Sequence, residues 1–324
     1  MPLSPIIMTP YYRYGAETPW GGDGLREQFG LQIPDERTGE ALVFSALPGR
    51  DSCAPDGRTL EDLIAAYGDR LLGTAVREPV PLLLKLIDAK QDLSVQVHPD
   101  DAYAARVEGK LGKTEAWIIL RAAPGAKLVY GIRPGYSLED LRRLCADGAA
   151  IEEALQYLPV KPGDVVYIPS GTVHAIGAGI MLYEIQQSSD VTYRFYDWNR
   201  KDQAGRTREL HIDKALDVTR LDVKPAAVTP ETLIRDERGL AERVLDTPYF
   251  TVDRYTACRA MPLDPDPRRF GILTAIESGT VGTPEGQIEL PAGTTAVLPA
   301  DGLPLALTGS LFLHAYPRVG GENG

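Results

Sequence analysis

Short apolar runs separated by glycine and proline recur along the chain and predict a β-rich fold. Among the clearest are residues 82–87, 93–98, 116–121, 126–130, 164–168 and 180–186. In the second run, Ser94, Gln96 and His98 alternate with two valines. Since successive side chains of a strand point to opposite faces, this strand has one apolar face and one polar face that can bind a ligand.

Two stretches have apolar residues at helical spacing instead, residues 59–72 and 137–158. Thr59 precedes the first and is a plausible N-cap, with acidic residues in the following turn. Ser137 and Asp140 resemble a capping box at the start of the second. We therefore predict two helical insertions in a β scaffold.

The most specific pattern is GDVVYIPSGTVH, residues 163–174. Its spacing, G-x5-P-x-G-x2-H, resembles the second sequence motif of the cupin superfamily, whose members are β barrels. Gly163 turns the chain into a strand, and Pro169 with Gly171 forms a tight turn after it. His174 would then enter the next strand and point into the barrel, which predicts a metal-binding histidine.

Glu115 and His98 fit the same metal site. A strand that begins at Thr114 in GKTEAW would point Glu115 and Trp117 to one face. An inward carboxylate is costly unless it is paired or binds a metal. With Gln96 as a further oxygen donor, the ligands are nitrogen and oxygen without thiolate, which favours Zn²⁺ first, then Fe²⁺, Mn²⁺ or Co²⁺.

Arg194 and Lys113 would place positive charge beside this site. Arg194 lies in the segment that follows the His174 hairpin, and Lys113 lies two residues before Glu115. Arginine offers phosphate a bidentate fork and lysine offers a point charge. A metal beside such residues suits a phosphorylated substrate.

Composition excludes several classes of partner. The net charge of -11 argues against nucleic-acid binding, and no apolar run approaches the roughly 18 residues of a membrane span. The three cysteines are isolated, which predicts reduced thiols. We expect a cytoplasmic protein, without a nucleic-acid or membrane partner, that is a monomer or a homodimer.

Four ordered segments together resemble type I phosphomannose isomerase in its short bacterial form: LSVQVHPDD, GKTEAW, VYIPSGTVHAIG and EIQQSSDVTYRFYDWNR. The resemblance covers roughly residues 9–220. It implies one Zn²⁺ per chain, held by Gln96, His98, Glu115 and His174. It also implies catalytic roles for Arg194 and Lys113, and substrate binding by Ser94, Lys113, Asp190 and Arg194.

The predicted fold class is mainly β. We expect a cupin, or jelly-roll, barrel with the two helical insertions over residues 1–225, which is the catalytic domain. A smaller cupin-like β barrel without metal ligands would follow over residues 226–324. The boundary is placed in the segment 223–235, which has several prolines and little periodicity.

The implied reaction interconverts mannose 6-phosphate and fructose 6-phosphate through a cis-enediol. The base stays open among metal-bound hydroxide, Lys113 and Asp190, because Gly112 stands where longer relatives have a histidine. Two alternatives remain: an Fe(II) oxygenase on the same fold, and a non-catalytic regulator that binds a sugar phosphate.

Overall fold

The structure is a computed structural model that describes residues 1–77, 79–202, 204–225 and 228–320. Its first part contains β1 (Ile6–Met8), β2 (Tyr11–Tyr14), α1 (Gly24–Phe29), β3 (Thr38–Phe44), α2 (Leu60–Tyr67), α3 (Asp69–Leu72), β4 (Leu82–Ala89), β5 (Val95–Val97), α4 (Asp101–Glu108), β6 (Glu115–Ala122), β7 (Lys127–Ile132), α5 (Leu138–Ala146), a 3-10 helix (Gly148–Ala154), β8 (Leu155–Pro159), β9 (Val165–Ile168), β10 (His174–Ala175), β11 (Ile180–Gln187), β12 (Tyr193–Tyr196) and α6 (Ile212–Val218). The rest contains β13 (Glu231–Asp236), β14 (Gly239–Asp246), β15 (Phe250–Leu263), β16 (Gly271–Ala275), β17 (Gly279–Thr283), β18 (Gly286–Leu290), β19 (Thr295–Leu298) and β20 (Leu305–Pro317).

The predicted mainly-β class is confirmed, and two facing sheets form its first part. A six-stranded sheet has the order β2-β3-β4-β11-β6-β9, and a five-stranded sheet has the order β12-β5-β10-β7-β8. Buried side chains from both sheets, such as Trp117 on β6 and Tyr130 on β7, pack together between them. Residues that point inward from either sheet therefore meet in one interior.

Strand β4 contributes to two layers at once. Leu84 and Leu86 pack on the outer face of the six-stranded sheet, against the C-terminal part of the chain. Lys85 and Ile87 point the other way and line a cleft between the two sheets. This division follows from the two-residue period of a strand.

A third sheet holds the C-terminal strands together with β1, whose Ile6 lies opposite Val297 of β19. Phe44 and Phe270 stack with their ring centroids 5.4 Å apart, inside an apolar cluster shared by the first and last parts of the chain. The division into domains 1–225 and 226–324 stays a prediction. Its boundary borders residues 226 and 227, which lie outside the described residues.

Both predicted helix starts are confirmed. The Thr59 side chain accepts a hydrogen bond from the Asp62 N–H, and Ser137 does the same with Asp140, each in a complete capping box. The first insertion divides into α2 and α3 at Gly68. None of the helices in the described ranges is both long and apolar enough to cross a membrane.

The helix predicted over residues 137–158 is wrong in its last four residues, which belong to β8. Strand β8 pairs antiparallel with β7, with Leu158 opposite Leu128. The stretch AAIEEALQYL has helical spacing, but ladder hydrogen bonds and the burial of Leu155 override this local preference. The helical part packs Leu141 and Leu144 onto the outer face of the five-stranded sheet.

Candidate metal centre and active-site cleft

Ligands predicted from separate parts of the sequence meet between the two facing sheets. His174 on β10 lies opposite Gln96 on β5, and His98 follows β5 directly. Glu115 begins β6 in the other sheet. Ligating atoms of His98, Glu115 and His174 all lie within 4.8 Å of one another. Each of these three side chains is buried.

The distances within this group are short. Glu115 Oε1 lies 3.2 Å from His174 Nε2, and Glu115 Oε2 lies 3.6 Å from His98 Nε2. The Gln96 amide nitrogen lies 3.5 Å from His98 Nε2 and 3.4 Å from His174 Nε2. Turning that amide by 180° would present its oxygen to the same point, so Gln96 fits as a fourth ligand.

Backbone carbonyls fix which nitrogen of each histidine is free. His98 Nδ1 donates to the Val191 carbonyl at 2.8 Å, and His174 Nδ1 donates to the Thr172 carbonyl at 2.9 Å. Since a carbonyl only accepts, each Nδ1 holds the proton and each Nε2 keeps a lone pair for a ligand. Burial, with the nearby Lys113 charge, lowers the pKa of His98 well below its usual range and favours the neutral ring.

The group therefore consists of acceptors that face one another and need a cation. Glu115 Oε1 is buried and has no hydrogen-bond partner in the described ranges. Lys113 Nζ contacts Glu115 Oε2 and lies 2.9 Å from His98 Nε2. Burial opposes the charge on Glu115, but Lys113 together with His174 and His98 holds the pKa of this carboxyl well below its usual range. Two imidazoles, a carboxylate and an amide oxygen suit a divalent cation such as Zn²⁺.

A cleft of about 240 Å³ opens beside the ligands, and Gln96 is part of its wall. Ser94 Oγ lies 3.3 Å from Gln96 Oε1 and accepts a hydrogen bond from Arg194 Nε at 3.1 Å. Arg194 Nη1 donates to the Glu209 carbonyl at 3.0 Å. Gln96, Ser94 and Arg194 thus form a connected series that leads away from the metal ligands.

Lys113 and Asp190 line the same cleft, so every residue predicted to bind substrate reaches one cavity. Lys113 is buried beside the ligands. Asp190 is exposed at the rim, where its carboxylate lies 2.6 Å from Lys110 Nζ. Partial burial opposes the charge on Asp190, but Lys110 holds its pKa below the usual value.

A buried chain of charges in the cleft wall is not apparent from the sequence. Lys85 Nζ lies 2.8 Å from Glu184 Oε1, and Glu184 Oε2 accepts from Trp117 Nε1 at 2.8 Å. Glu40 lies 4.0 Å from Lys85 and accepts from Arg13 Nη1 at 3.0 Å. The available signal was Lys85 itself, because a single lysine in the apolar run LLLKLIDA must share a face with Leu83 and Ile87.

The structure also accounts for the glycine at position 112 and places His211 in the cleft wall. A Cβ on Gly112 would lie 2.5 Å from backbone atoms of Asp100 and Asp101, so a histidine does not fit here as the chain stands. His211 lies in the cleft wall, where its Nδ1 accepts from the Arg194 backbone N–H at 3.3 Å. Partial burial and Arg194 lower the pKa of His211.

Comparison with known proteins gives consistent matches. Residues 13–115 match the model of the phosphomannose isomerase type I catalytic domain. A mannose-6-phosphate isomerase from Streptococcus mutans is 47% identical over 241 residues, which cover 73% of this chain and 74% of that protein. One from Bacillus subtilis is 38% identical over 284 residues, which cover 86% of this chain and 87% of that protein.

A solved structure extends the match to the whole fold. The crystal structure of the mannose 6-phosphate isomerase from Bacillus subtilis aligns with a TM-score of 0.88 at 34% identity, over 97% of this chain and 99% of that one. The matched family model spans Gln96, His98, Lys113 and Glu115. On these similarities in sequence and fold, the chain belongs to the type I phosphomannose isomerase family.

Proposed function

We propose that this protein is a metal-dependent aldose–ketose isomerase that interconverts mannose 6-phosphate and fructose 6-phosphate, with Zn²⁺ as its metal. One observation carries the proposal: a buried set of acceptors, His98, Glu115 and His174, lies at one end of a polar cleft that also contains Arg194. Family membership and the names of the relatives agree with this function.

The residues present fit the metal. Gln96, His98, Glu115 and His174 would hold it, and when bound it supplies a Lewis acid next to the substrate oxygens. The second candidate from the sequence, an Fe(II) oxygenase, needs open coordination positions for oxygen and a cosubstrate. A fourth protein ligand, Gln96, reduces those positions and favours the isomerase.

Arg194 stabilises the negative charge that develops on the sugar oxygens when a proton leaves C2. Ser94 and the Glu209 carbonyl accept two of its N–H groups and so orient the guanidinium before substrate arrives. The apolar side chains of Leu93 and Ile176 line the same cleft. A substrate that displaces water from the cleft would strengthen the interaction between Arg194 and the developing oxyanion.

Proton movement between C1 and C2 needs a group that reaches both carbons. Lys113 is better placed than Asp190, because it is buried beside the ligands whereas Asp190 pairs with Lys110 at the rim. We assign Lys113 to holding or moving this proton and Asp190 to binding substrate at the cleft entrance. As a small-molecule enzyme, the protein would act in the cytoplasm as a monomer or a homodimer.

The test is isomerisation of mannose 6-phosphate, followed as NADPH through phosphoglucose isomerase and glucose-6-phosphate dehydrogenase. Metal-analysed protein should turn over, lose activity with chelator and regain it with Zn²⁺. Arg194→Gln should lower kcat about 100-fold or more with unchanged metal content, the effect expected when one oxyanion donor is removed. No turnover by metal-loaded protein would refute the function, and oxygen consumption would indicate the oxygenase instead.

A further inference from the structure

The cleft contains more positive than negative side chains. Its lining residues include six basic ones, Arg13, Arg50, Lys85, Lys113, Arg194 and Arg208, and four acidic ones, Glu17, Glu40, Glu184 and Asp190. This excess of two positive charges lies in a chain whose net charge is -11. A phosphate monoester carries about -1.5 to -2 at neutral pH, so the cleft and such a ligand are matched in charge.

Most of the basic residues are already neutralised. Lys85 pairs with Glu184, Arg13 with Glu40, Arg50 with Glu17 at 3.3 Å, and Lys113 with Glu115. Arg194 has no carboxylate within 4.0 Å in the described ranges. The unbalanced charge therefore lies with Arg194 and Arg208.

Arg208 shares a single carboxylate with another arginine. Its Nη1 lies 3.6 Å from Asp197 Oδ1, and Arg200 Nη1 lies 3.6 Å from the same oxygen. Asp197 is buried, and neither of its oxygens accepts a hydrogen bond in the described part of the chain. One negative charge thus faces two guanidinium groups.

Arg208 also differs from Arg200 in its unused donors. Arg200 donates to the Asp92 carbonyl and is not part of the cleft lining. Within the described ranges Arg208 donates no hydrogen bond, and its buried Nη1 faces Asp197. Its side chain is 30% exposed and lines the cleft. Arg208 is therefore held through Nη1 by an ion pair, while Nε and Nη2 stay available to a ligand.

Arg194 and Arg208 are close enough to oppose each other's charge. Burial, followed by the Arg208 guanidinium, lowers the pKa of Arg194 to about 10. Two like charges kept together in a partly buried site favour a bound anion. Arg194 uses Nε and Nη1 for protein hydrogen bonds, and its Nη2 donates none in the described chain.

We propose that Arg208 binds the phosphate group of the sugar phosphate and is the residue that selects phosphorylated over free sugars, while Arg194 acts on the sugar oxygens. The series Gln96, Ser94, Arg194 leads from the metal ligands towards Arg208 in the same cleft. The groups of a sugar 6-phosphate follow the same order, since C1 and C2 react at one end and the phosphate lies at the other. The identity of the sugar rests on the proposed function, whereas anion binding by Arg208 does not.

The experiment compares wild type with Arg208→Gln, Arg208→Lys and the control Arg206→Gln. Arg206 lies two residues away, is 79% exposed and pairs with Asp202 outside the cleft. For each protein we would measure metal content, kcat and KM for mannose 6-phosphate, and the Kd of inorganic phosphate by calorimetry. Far-ultraviolet circular dichroism checks that each variant is folded.

Loss of a charge-assisted pair predicts a rise of about 10- to 100-fold in KM and in the Kd of inorganic phosphate for Arg208→Gln. Its kcat should stay within a few-fold, and Arg208→Lys should lie between wild type and the glutamine variant. The proposal is overturned if the KM and the phosphate Kd of Arg208→Gln lie within twofold of those of Arg206→Gln. A loss of kcat without a change in KM would also overturn it. If Arg208→Gln does not fold, Arg208→Lys decides on the same measurements.

If wild type fails to isomerise mannose 6-phosphate, only the proposed function fails. The Kd of inorganic phosphate then still tests Arg208, because it requires no turnover. Weakened phosphate binding in Arg208→Gln but not in Arg206→Gln would support the anion site in that case. Equal affinities in all four proteins would overturn it.

Discussion

Replacing Lys85 with methionine tests whether the buried charge chain in the cleft wall stabilises the fold only as a complete set. Methionine keeps most of the length of the lysine side chain and removes its charge. Lys85 lies 2.8 Å from Glu184 Oε1 and 4.0 Å from Glu40 Oε2, and all three residues are buried. After the substitution, Glu184 keeps only the hydrogen bond from Trp117 Nε1.

The expected loss in the free energy of unfolding follows from the burial of the remaining charge rather than from the strength of the ion pair. Breaking a buried pair by removing one partner costs about 3–5 kcal/mol, because the remaining charge is left uncompensated. The double variant Lys85→Met with Glu184→Gln removes both charges and should recover a large part of this loss, since neutral replacement of a whole pair is often tolerated. We expect a coupling free energy of about 2–3 kcal/mol between the two positions.

Urea unfolding of chelator-treated protein measures these free energies without a contribution from metal release. The control is Lys90→Met, one residue after the same strand, where the side chain is 66% exposed and lies 3.8 Å from Asp23. An exposed pair of this kind contributes about 0–1 kcal/mol. The explanation is wrong if the urea midpoint of Lys85→Met equals that of Lys90→Met. It is also wrong if the effects of Lys85→Met and Glu184→Gln on the free energy of unfolding simply add in the double variant.

The Lys85→Met variant also predicts how the free energy of unfolding depends on pH. Burial disfavours the charge on Glu40, but Arg13 and Lys85 hold its pKa below the usual value. Its contribution to stability is therefore present above the unfolded pKa, about 4.3, and is lost as pH falls through the folded pKa. In Lys85→Met the uncompensated carboxylates gain more from protonation than in wild type. The difference in the free energy of unfolding between wild type and Lys85→Met should accordingly become smaller as the pH falls from about 7 to about 4.5. A difference that stays constant over this range would contradict the explanation.

Two further predictions concern a metal ligand and the loop before Lys113. His174→Ala should lower metal affinity about 100-fold or more. His211→Ala is the control, and mass spectrometry should find the wild-type metal content in it. Full metal content in His174→Ala would remove His174 from the ligand set. Gly112→His should lower the free energy of unfolding by about 1–3 kcal/mol, because its Cβ would lie 2.5 Å from backbone atoms of Asp100 and Asp101. Gly320→His, where no atom lies within 4 Å of a Cβ, is the control, and equal urea midpoints would show that the loop before Lys113 moves to admit the side chain.

The candidate metal ligands could be recognised in the sequence because their signals are local. Strand alternation places Gln96 and His98 on one face, and turn residues position His174 at the start of the next strand. The charge chain could not be predicted in this way. Lys85 meets Glu184 because these two residues lie opposite each other in the β4–β11 ladder, and that register depends on the packing of the whole sheet.

The same limit explains the errors in secondary structure and the residues that were overlooked. Residues 155–158 form a strand because β7 lies beside them, and β1 joins β19 from the opposite end of the chain. Arg208 resembles Arg206 and Arg200 in the sequence. It differs in that it both shares Asp197 with Arg200 and lines the cleft, and these are properties of the folded chain.

The cleft combines three charge environments whose order suits a sugar phosphate. Glu115 and the two imidazoles present acceptors to one point, where a cation would bind beside Lys113. Arg208, whose one carboxylate partner is shared with Arg200, offers unused donors to an anion in the same cleft. Lys85 is neutralised by Glu184 and contributes rigidity rather than net charge. A ligand with hydroxyl oxygens at one end and phosphate at the other would satisfy both ends at once. A free sugar would leave Arg208 without an anion, and we propose that this difference gives the site its specificity.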